Sequence, residues 1–77
     1  MNRIEALGVV IRNTRLALNI SQEKLAEIAR IHRNALGRIE RSEVVVTVGT
    51  LCQIADALGV AASELIQSAE KLTEREA

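Results

Sequence analysis

With 77 residues, the chain has the length of one small domain and leaves no room for a second. Hydrophobic residues make up 48% of it, but aromatic residues and proline are absent, which predicts a core of small aliphatic side chains between closely packed helices. One cysteine and one histidine exclude an intramolecular disulfide and a closed zinc site, so we expect no metal and no other cofactor. No apolar segment approaches the roughly 20 residues that span a bilayer, and no leader is evident, so we expect a cytoplasmic protein without membrane contact.

The formal net charge is zero, but the charges are divided unevenly along the sequence. Residues 1–42 contain eight basic and four acidic side chains, whereas residues 43–77 contain two basic and six acidic ones. A basic half next to an acidic half is typical of a polyanion-binding surface backed by a self-association surface. Two solvated faces without a partner would give the same composition, so charge alone does not decide between these alternatives.

The first predicted helix covers about residues 2–18, where apolar residues recur at spacings that fit one helix face: Ile4, Leu7, Ile11 and Leu18. Asn19 follows, and asparagine is second to glycine at the left-handed position that closes a helix. Arg12 and Arg15 lie off the apolar face.

Four further helix starts share the spacing of the hydrophobic staple, in which an apolar residue before the N-cap packs on a second one five positions later. The four pairs are Ile20 with Leu25, Ile31 with Leu36, Val46 with Leu51, and Val60 with Leu65. They predict helices near residues 22–29, 33–41, 48–58 and 62 to about 70, the first three capped by Ser21, His32 and Thr47. Ala61 has no side chain that can cap. Like-charge pairs four residues apart weaken a helix, so we expect the tail over 71–77 to fray.

The third of these helices is the strongest candidate for a functional element. Its apolar residues fall on one arc, and Arg33, Asn34 and Arg38 fall on the opposite arc. Arginine and asparagine are the residue types that bond bidentately to guanine and adenine edges, so we predict base contacts for these three. Arg41, one turn further on, is more typical of a phosphate contact. A charged, solvated helix face is the alternative reading.

Gln22 strengthens the nucleic-acid reading because it opens the preceding helix, where unpaired backbone N–H groups and the positive end of the helix dipole attract a phosphate. Gly37 interrupts the third helix at a cost of roughly 1 kcal/mol relative to alanine. We expect it to permit a close approach to the DNA backbone, although a tolerated small residue would look the same.

The segment LGVVIRNTRLALNISQEKLAEIARIHRNALGRIE, with LCQIADALGVAASEL further on, resembles the Cro and phage-repressor type of helix-turn-helix family, also called xenobiotic-response-element-like regulators. Within that family, His32-Arg33 and the loop length after Glu40 are similar to controller proteins of restriction-modification systems. The resemblance implies an all-α, five-helix, lambda-repressor-like domain with a central helix-turn-helix at about residues 21–42. It also implies a homodimer on a two-fold symmetric DNA operator, and no small-molecule ligand.

The resemblance also assigns roles to individual residues. It places Arg33, Asn34 and Arg38 in the major groove, Gln22 and Arg41 on the DNA backbone, and an ion pair between two further residues, Arg15 and Glu40. The chain departs from the family pattern where Arg30 and Ser42 replace common glycines. It departs again at Val44-Val45, which replaces residues that are often polar or basic, and fewer backbone contacts would mean weaker, less salt-sensitive binding.

The apolar loop after the third helix and the apolar face of the fifth helix each have two interpretations. Each could belong to the core of a monomer or form part of a two-fold interface. We favour the interface, and predict that it contains Val44 and Val45 of the loop and Leu65 and Ile66 of the fifth helix. An antitoxin-type or other protein-interaction module of the same fold is the alternative function.

No catalytic constellation is present in the sequence, and we expect no enzyme activity. Cys52 lies near Val48 and Ala55 on the predicted fourth helix, so we expect a buried structural thiol and not a nucleophile.

Overall fold

The computed structural model describes residues 1–75, and five α-helices account for most of them. The helices are α1 (Arg3–Ala17), α2 (Gln22–Ala29), α3 (Arg33–Glu40), α4 (Val48–Leu58) and α5 (Ala62–Arg75). This confirms the predicted all-α, five-helix architecture, and four of the five predicted helices end within one residue of the observed bounds. No helix within residues 1–75 combines the length and the apolar content needed to cross a membrane.

The helices begin where side chains satisfy the first backbone N–H groups. Asn2, Ser21 and Thr47 accept hydrogen bonds from backbone N–H groups three residues later, at 2.9–3.1 Å. At α3, Nδ1 of His32 accepts from the N–H of Asn34 at 3.1 Å, as expected for a histidine cap. These bonds replace water at groups that have no partner inside the helix.

At α5 the direction of the capping bond is reversed. Ala61 has no polar side chain, and its backbone N–H donates to Oε1 of Glu64 at 3.3 Å. The acidic side chain reaches back to the start of the helix, as in half of a capping box.

The first four helices end in one recurring motif. At each end one residue adopts the left-handed conformation, and its N–H and the next N–H bond back to carbonyls three and five residues earlier, as in the Schellman motif. Only one of the four left-handed residues is glycine: they are Asn19, Arg30, Ser42 and Gly59, with φ between 56° and 74°. The prediction for Asn19 is confirmed by its φ of 56°.

All five helices contribute to one core, with α1 packed on α3 and α5, and α4 packed on α2 and α5. Its fully buried large side chains are Ile11, Leu25, Leu36 and Ile54. The apolar residues before the N-caps are half-buried against this core: Ile20, Ile31, Val46 and Val60. On α1, however, Ile4 and Leu18 are exposed, and the buried face instead contains Ala6 and Val10. The stripe predicted for α1 was therefore only half correct, because α5 and α3 cover neighbouring sides of the helix.

Helix α5 is longer than predicted, since it continues to Arg75 where we expected an end near residue 70 and a frayed tail. Ala69 is buried, and Leu72 packs half-buried against the core. Arg3 of α1 also approaches Glu70, with 3.8 Å between Nη2 and Oε2. Packing on α1 thus outweighs the like-charge pairs of an isolated helix. The remaining part of the predicted tail, residues 76–77, lies outside the described residues.

The prediction for Cys52 was wrong, because this side chain is exposed. The buried arc of α4 consists of Leu51, Ile54, Ala55 and Leu58. At about 100° per residue, Cys52 projects well away from the middle of that arc. No cluster of three or more potential metal-ligating side chains occurs in the part of the chain described here.

Candidate nucleic-acid interface

Helices α2 and α3 form a rigid pair joined by the turn at Arg30–His32. The N–H of Ile31 donates to the carbonyl of Ala26 at 3.0 Å, which fixes the direction in which the chain leaves α2. The carbonyl of Ala29 accepts a hydrogen bond from Nε2 of Gln53 at 3.2 Å, so α4 also holds the end of α2. Buried Leu25 and Leu36 belong to the same core cluster and complete the packing.

Helix α3 buries one side and leaves the other open. Leu36 and Ile39 are buried, whereas Arg33, Asn34 and Arg38 are exposed together on the opposite side. The three side chains predicted to contact bases therefore share one accessible surface. Nη1 of Arg33 lies 3.4 Å from Oε2 of Glu23. Arg38 forms no ion pair within residues 1–75.

A buried ion pair joins α1 to the end of α3. Arg15 donates from Nε to Oε2 of Glu40 at 2.8 Å and from Nη2 to Oε1 at 2.9 Å. Its Nη1 also donates to the carbonyl of Ile20 at 3.0 Å. The hydrogen bond to Glu40 raises the pKa of Arg15, and burial opposes that rise. These are the two residues that the family resemblance pairs.

Gln22 joins this network from the start of α2. Its Nε2 donates to Oε1 of Glu40 at 3.2 Å, so the side chain predicted to contact a phosphate is oriented by the buried carboxylate. Because Gln22 is only half-buried, part of its amide remains accessible. The ion pair therefore fixes α3 and positions the first side chain of α2 at the same time.

Gly37 lies next to two polar side chains of the protein itself. It is buried, and a Cβ atom there would lie 3.0 Å from Nη1 of Arg41 and 3.4 Å from Oε1 of Gln22. The missing side chain makes room for these two polar side chains of the protein itself. The direct approach of DNA to Gly37 stays a prediction, and the geometry adds that the missing Cβ leaves room for the guanidinium of Arg41.

Gly8 is a second glycine with a structural role, which the sequence did not reveal. A Cβ there would lie 2.5 Å from the carbonyl oxygen of Ile39, which is too close for any real contact. Helix α1 thus approaches the backbone at the end of α3 as closely as glycine allows. In the sequence, the role of Gly8 was indicated only by its place after Leu7 in the family pattern.

Arg12 is a further basic residue of this surface that sequence reasoning did not select. It lines an open basin of about 620 Å³ together with Arg15, Gln22, Glu40 and Arg41. Two of the five, Arg15 and Glu40, neutralise each other, which leaves Arg12 and Arg41 as the cations at its rim. The spacing of Arg12 three residues before Arg15 could have indicated this position.

A family model described as helix-turn-helix matches residues 11–65 of the chain. The chain belongs to the helix-turn-helix family of Cro and phage-repressor type. Among curated proteins, it is 42% identical over 62 residues to the control protein C.SmaI from Serratia marcescens, an alignment that covers 80% of this chain and 74% of that protein.

Two solved structures support the same assignment. The restriction-modification controller protein C.AhdI from Aeromonas hydrophila is 31% identical, with a TM-score of 0.79 over 80% of this chain and 94% of that one. The clp gene regulator ClgR from Corynebacterium glutamicum is 25% identical, with a TM-score of 0.93 over 99% of this chain and 81% of that one. The helix-turn-helix family to which this chain belongs is a family of DNA-binding regulators, which is not an enzyme class.

The two departures from the family's glycines are accommodated in different ways. Arg30 adopts a φ of 60° in the turn of the helix-turn-helix, where a side chain costs roughly 1 kcal/mol. Ser42 has the same φ, but its Oγ donates to the carbonyl of Glu5 at 3.2 Å, a bond between α1 and the end of α3 that glycine could not make.

The residues predicted for a two-fold interface divide into two groups. Val44, Val45 and Ile66 are exposed, whereas Leu65 is only 2% exposed and belongs to the core of the protomer. Leu65 is therefore removed from the interface set. Val48, which the sequence did not single out, is 77% exposed and lines an apolar groove together with Ile66. Val44 and Val45 line a different groove together with Asn34 and Arg38, and Val46 lines both grooves. We call Val44, Val45, Val48 and Ile66 together the apolar patch.

Proposed function

We propose that this protein is a homodimeric transcription regulator that binds a two-fold symmetric DNA operator through α3. The observation that carries the proposal is the exposed row of Arg33, Asn34 and Arg38 on a short helix whose other side is locked in the core. Such a helix enters the major groove as one rigid body. Its arginines match O6 and N7 of guanine, and its asparagine matches N6 and N7 of adenine.

The backbone contacts come from the ends of α2 and α3. Gln22 presents an accessible amide next to the unpaired N–H groups at the start of α2, where a phosphate is favoured. Exposed Arg12 and Arg41 line the adjoining basin and offer two cations to a phosphate, with Arg41 also paired to Glu43. Phosphate contacts of this kind fix the register of the protein on DNA without reading sequence.

Dimerisation is supported by the apolar patch. Val45 and Val48 are 72% and 77% exposed, an unusual degree of exposure for two valines in a domain of this size. A single α3 reads only a few base pairs, and two-fold pairing would place two such helices about 34 Å apart, one turn of DNA. The similarity to C.SmaI and C.AhdI, named as control and controller proteins, supports a role as controller of a restriction-modification system.

The base-contact assignment is tested by selecting binders from a randomised DNA library and measuring affinity for the winning site by fluorescence anisotropy. We expect a palindromic site, and we expect Arg38→Ala to lose about 1–3 kcal/mol of discrimination per protomer. Arg75→Ala, at an exposed position of α5, is the matched control and leaves binding unchanged. Full operator affinity in a variant that lacks both Arg33 and Arg38 would show that α3 does not read the bases.

The interface assignment is tested by sedimentation equilibrium on Val48→Asp. A charge in the apolar patch should shift the protein toward monomer, whereas Ile28→Asp, at an equally apolar but separate exposed position, should not. If both variants dimerise like the wild type, the dimer uses another surface.

A further inference from the structure

Four helices end in the same motif, and the residue directly after the left-handed one is apolar in three of them. In the fourth, at the end of α3, that residue is Glu43. After the left-handed residues of α1, α2 and α4 the chain continues with Ile20, Ile31 and Val60, each half-buried against the core. After Ser42 it continues with exposed Glu43, whose N–H bonds to the carbonyl of Arg38 at 2.9 Å. The side chain of Glu43 therefore adds no packing to the core that an apolar side chain at this position would not add.

What Glu43 contacts is the cation at the rim of the basin. Its Oε2 accepts a hydrogen bond from Nε of Arg41, and the two side chains are 49% and 59% exposed. The hydrogen bond between them raises the pKa of Arg41 and lowers the pKa of Glu43. The positive charge of Arg38 also contributes to the lower pKa of Glu43. Gly37 gives Arg41 room on its other side.

We propose that Glu43 is an affinity-determining residue, a built-in anion that competes with a DNA phosphate for Arg41. The proposal rests on the proposed function. In free protein the carboxylate accepts from the Nε–H of Arg41 and offsets the charge of the guanidinium. A phosphate can bind that edge of Arg41 bidentately only by displacing Glu43, so the two anions compete for it. Glu43 thereby weakens sequence-independent binding through the backbone, and within residues 1–75 it forms no ion pair with the base-reading row of α3.

The consequence for salt dependence follows from counterion release. While Glu43 competes for Arg41, the guanidinium neutralises a phosphate in only part of the complexes, and the cations condensed at that phosphate stay bound in the rest. Without Glu43, each protomer should release up to about one more counterion, so the slope of log affinity against log salt steepens by up to about 0.9 per protomer. An exposed pair of this type changes affinity by about two- to fivefold.

The test measures anisotropy of a short, labelled, mixed-sequence DNA duplex over a range of KCl concentrations, because a phosphate contact does not need the operator. The variants are Glu43→Gln, Arg41→Ala and the double variant. Glu74→Gln on α5 is the control with the same change in net charge. We expect Glu43→Gln alone to bind about threefold tighter per protomer with a steeper slope, and the double variant to bind like Arg41→Ala.

Each other outcome overturns the proposal in a recognisable way. An equal gain in Glu74→Gln, or a gain that persists when Arg41 is absent, would mean that general repulsion and not competition for Arg41 is responsible. Wild-type binding with no gain in Glu43→Gln would refute the competition while leaving the DNA-binding function intact. No salt-dependent binding by wild type would refute the proposed function and the competition with it.

Discussion

Replacing Glu40 by alanine removes the carboxylate to which Arg15 donates two buried hydrogen bonds. The two side chains are only 9% and 2% exposed, so the guanidinium left behind has little contact with water. Breaking a buried pair from one side costs about 3–5 kcal/mol, because an uncompensated charge stays behind. A chain of 77 residues has about 4–12 kcal/mol of total stability, so this variant loses a large part of it.

The assay is urea unfolding followed by circular dichroism, together with a thermal melt, in which Glu40→Ala should lower the midpoint by about 12 °C or more. Arg15→Met should lose a similar amount, since it strands the carboxylate. The combination of Arg15→Met with Glu40→Leu should recover at least half of the loss, because well-packed apolar residues often replace a buried pair without penalty. The coupling energy of this double-mutant cycle isolates the pair.

Glu74→Ala, at an exposed position of α5, is the control and should change stability by no more than about 0.5 kcal/mol. A loss below about 1 kcal/mol for Glu40→Ala would be the value of an exposed pair and would refute the reasoning from burial. Independent losses in the two single variants, with no coupling, would show that each side chain acts through other contacts.

Three backbone predictions follow from the same structure. Gly8→Ala should destabilise the fold by about 1–3 kcal/mol in urea unfolding, because its Cβ would meet the rigid carbonyl of Ile39; unchanged stability would show that α1 can move away. Gly37→Ala should instead stabilise by up to about 1 kcal/mol, since the neighbour at 3.0 Å is the flexible end of Arg41, but displacement of that side chain should weaken DNA binding. Arg30→Gly should gain about 0.5–1 kcal/mol in thermal melts by relieving a left-handed φ of 60°, and a loss would contradict that explanation.

Helix positions and helix ends were predictable because they depend on neighbours in the sequence. The staple spacing placed α2, α3 and α4, and a short polar side chain at Ser21 and Thr47 marked where two of them begin. The length of α5 was not predictable, because its last turns are held by packing of Leu72 and not by local preference. The prediction that Cys52 is buried failed for a related reason. A helix can have several apolar sides, and the sequence does not say which of them a neighbouring helix covers.

The candidate site divides in the same way. Arg33, Asn34 and Arg38 were found from periodicity, since residues on one side of a helix are fixed by a rotation of about 100° per residue. Arg12, the room that Gly37 leaves for Arg41 and the pairing of Arg41 with Glu43 depend on which helices meet, and no spacing encodes that.

The sequence by itself thus determined the helices, the side of α3 that faces outward and, through its resemblance to Cro-type regulators, the family. Only the tertiary structure decided that Leu65 is core, that Val48 is surface and that Glu43 holds a cation of the proposed DNA-binding surface. The physical reason is that helical preference and amphipathicity act over a few residues, whereas burial, close approach and charge pairing arise between residues that the chain brings together only when it folds.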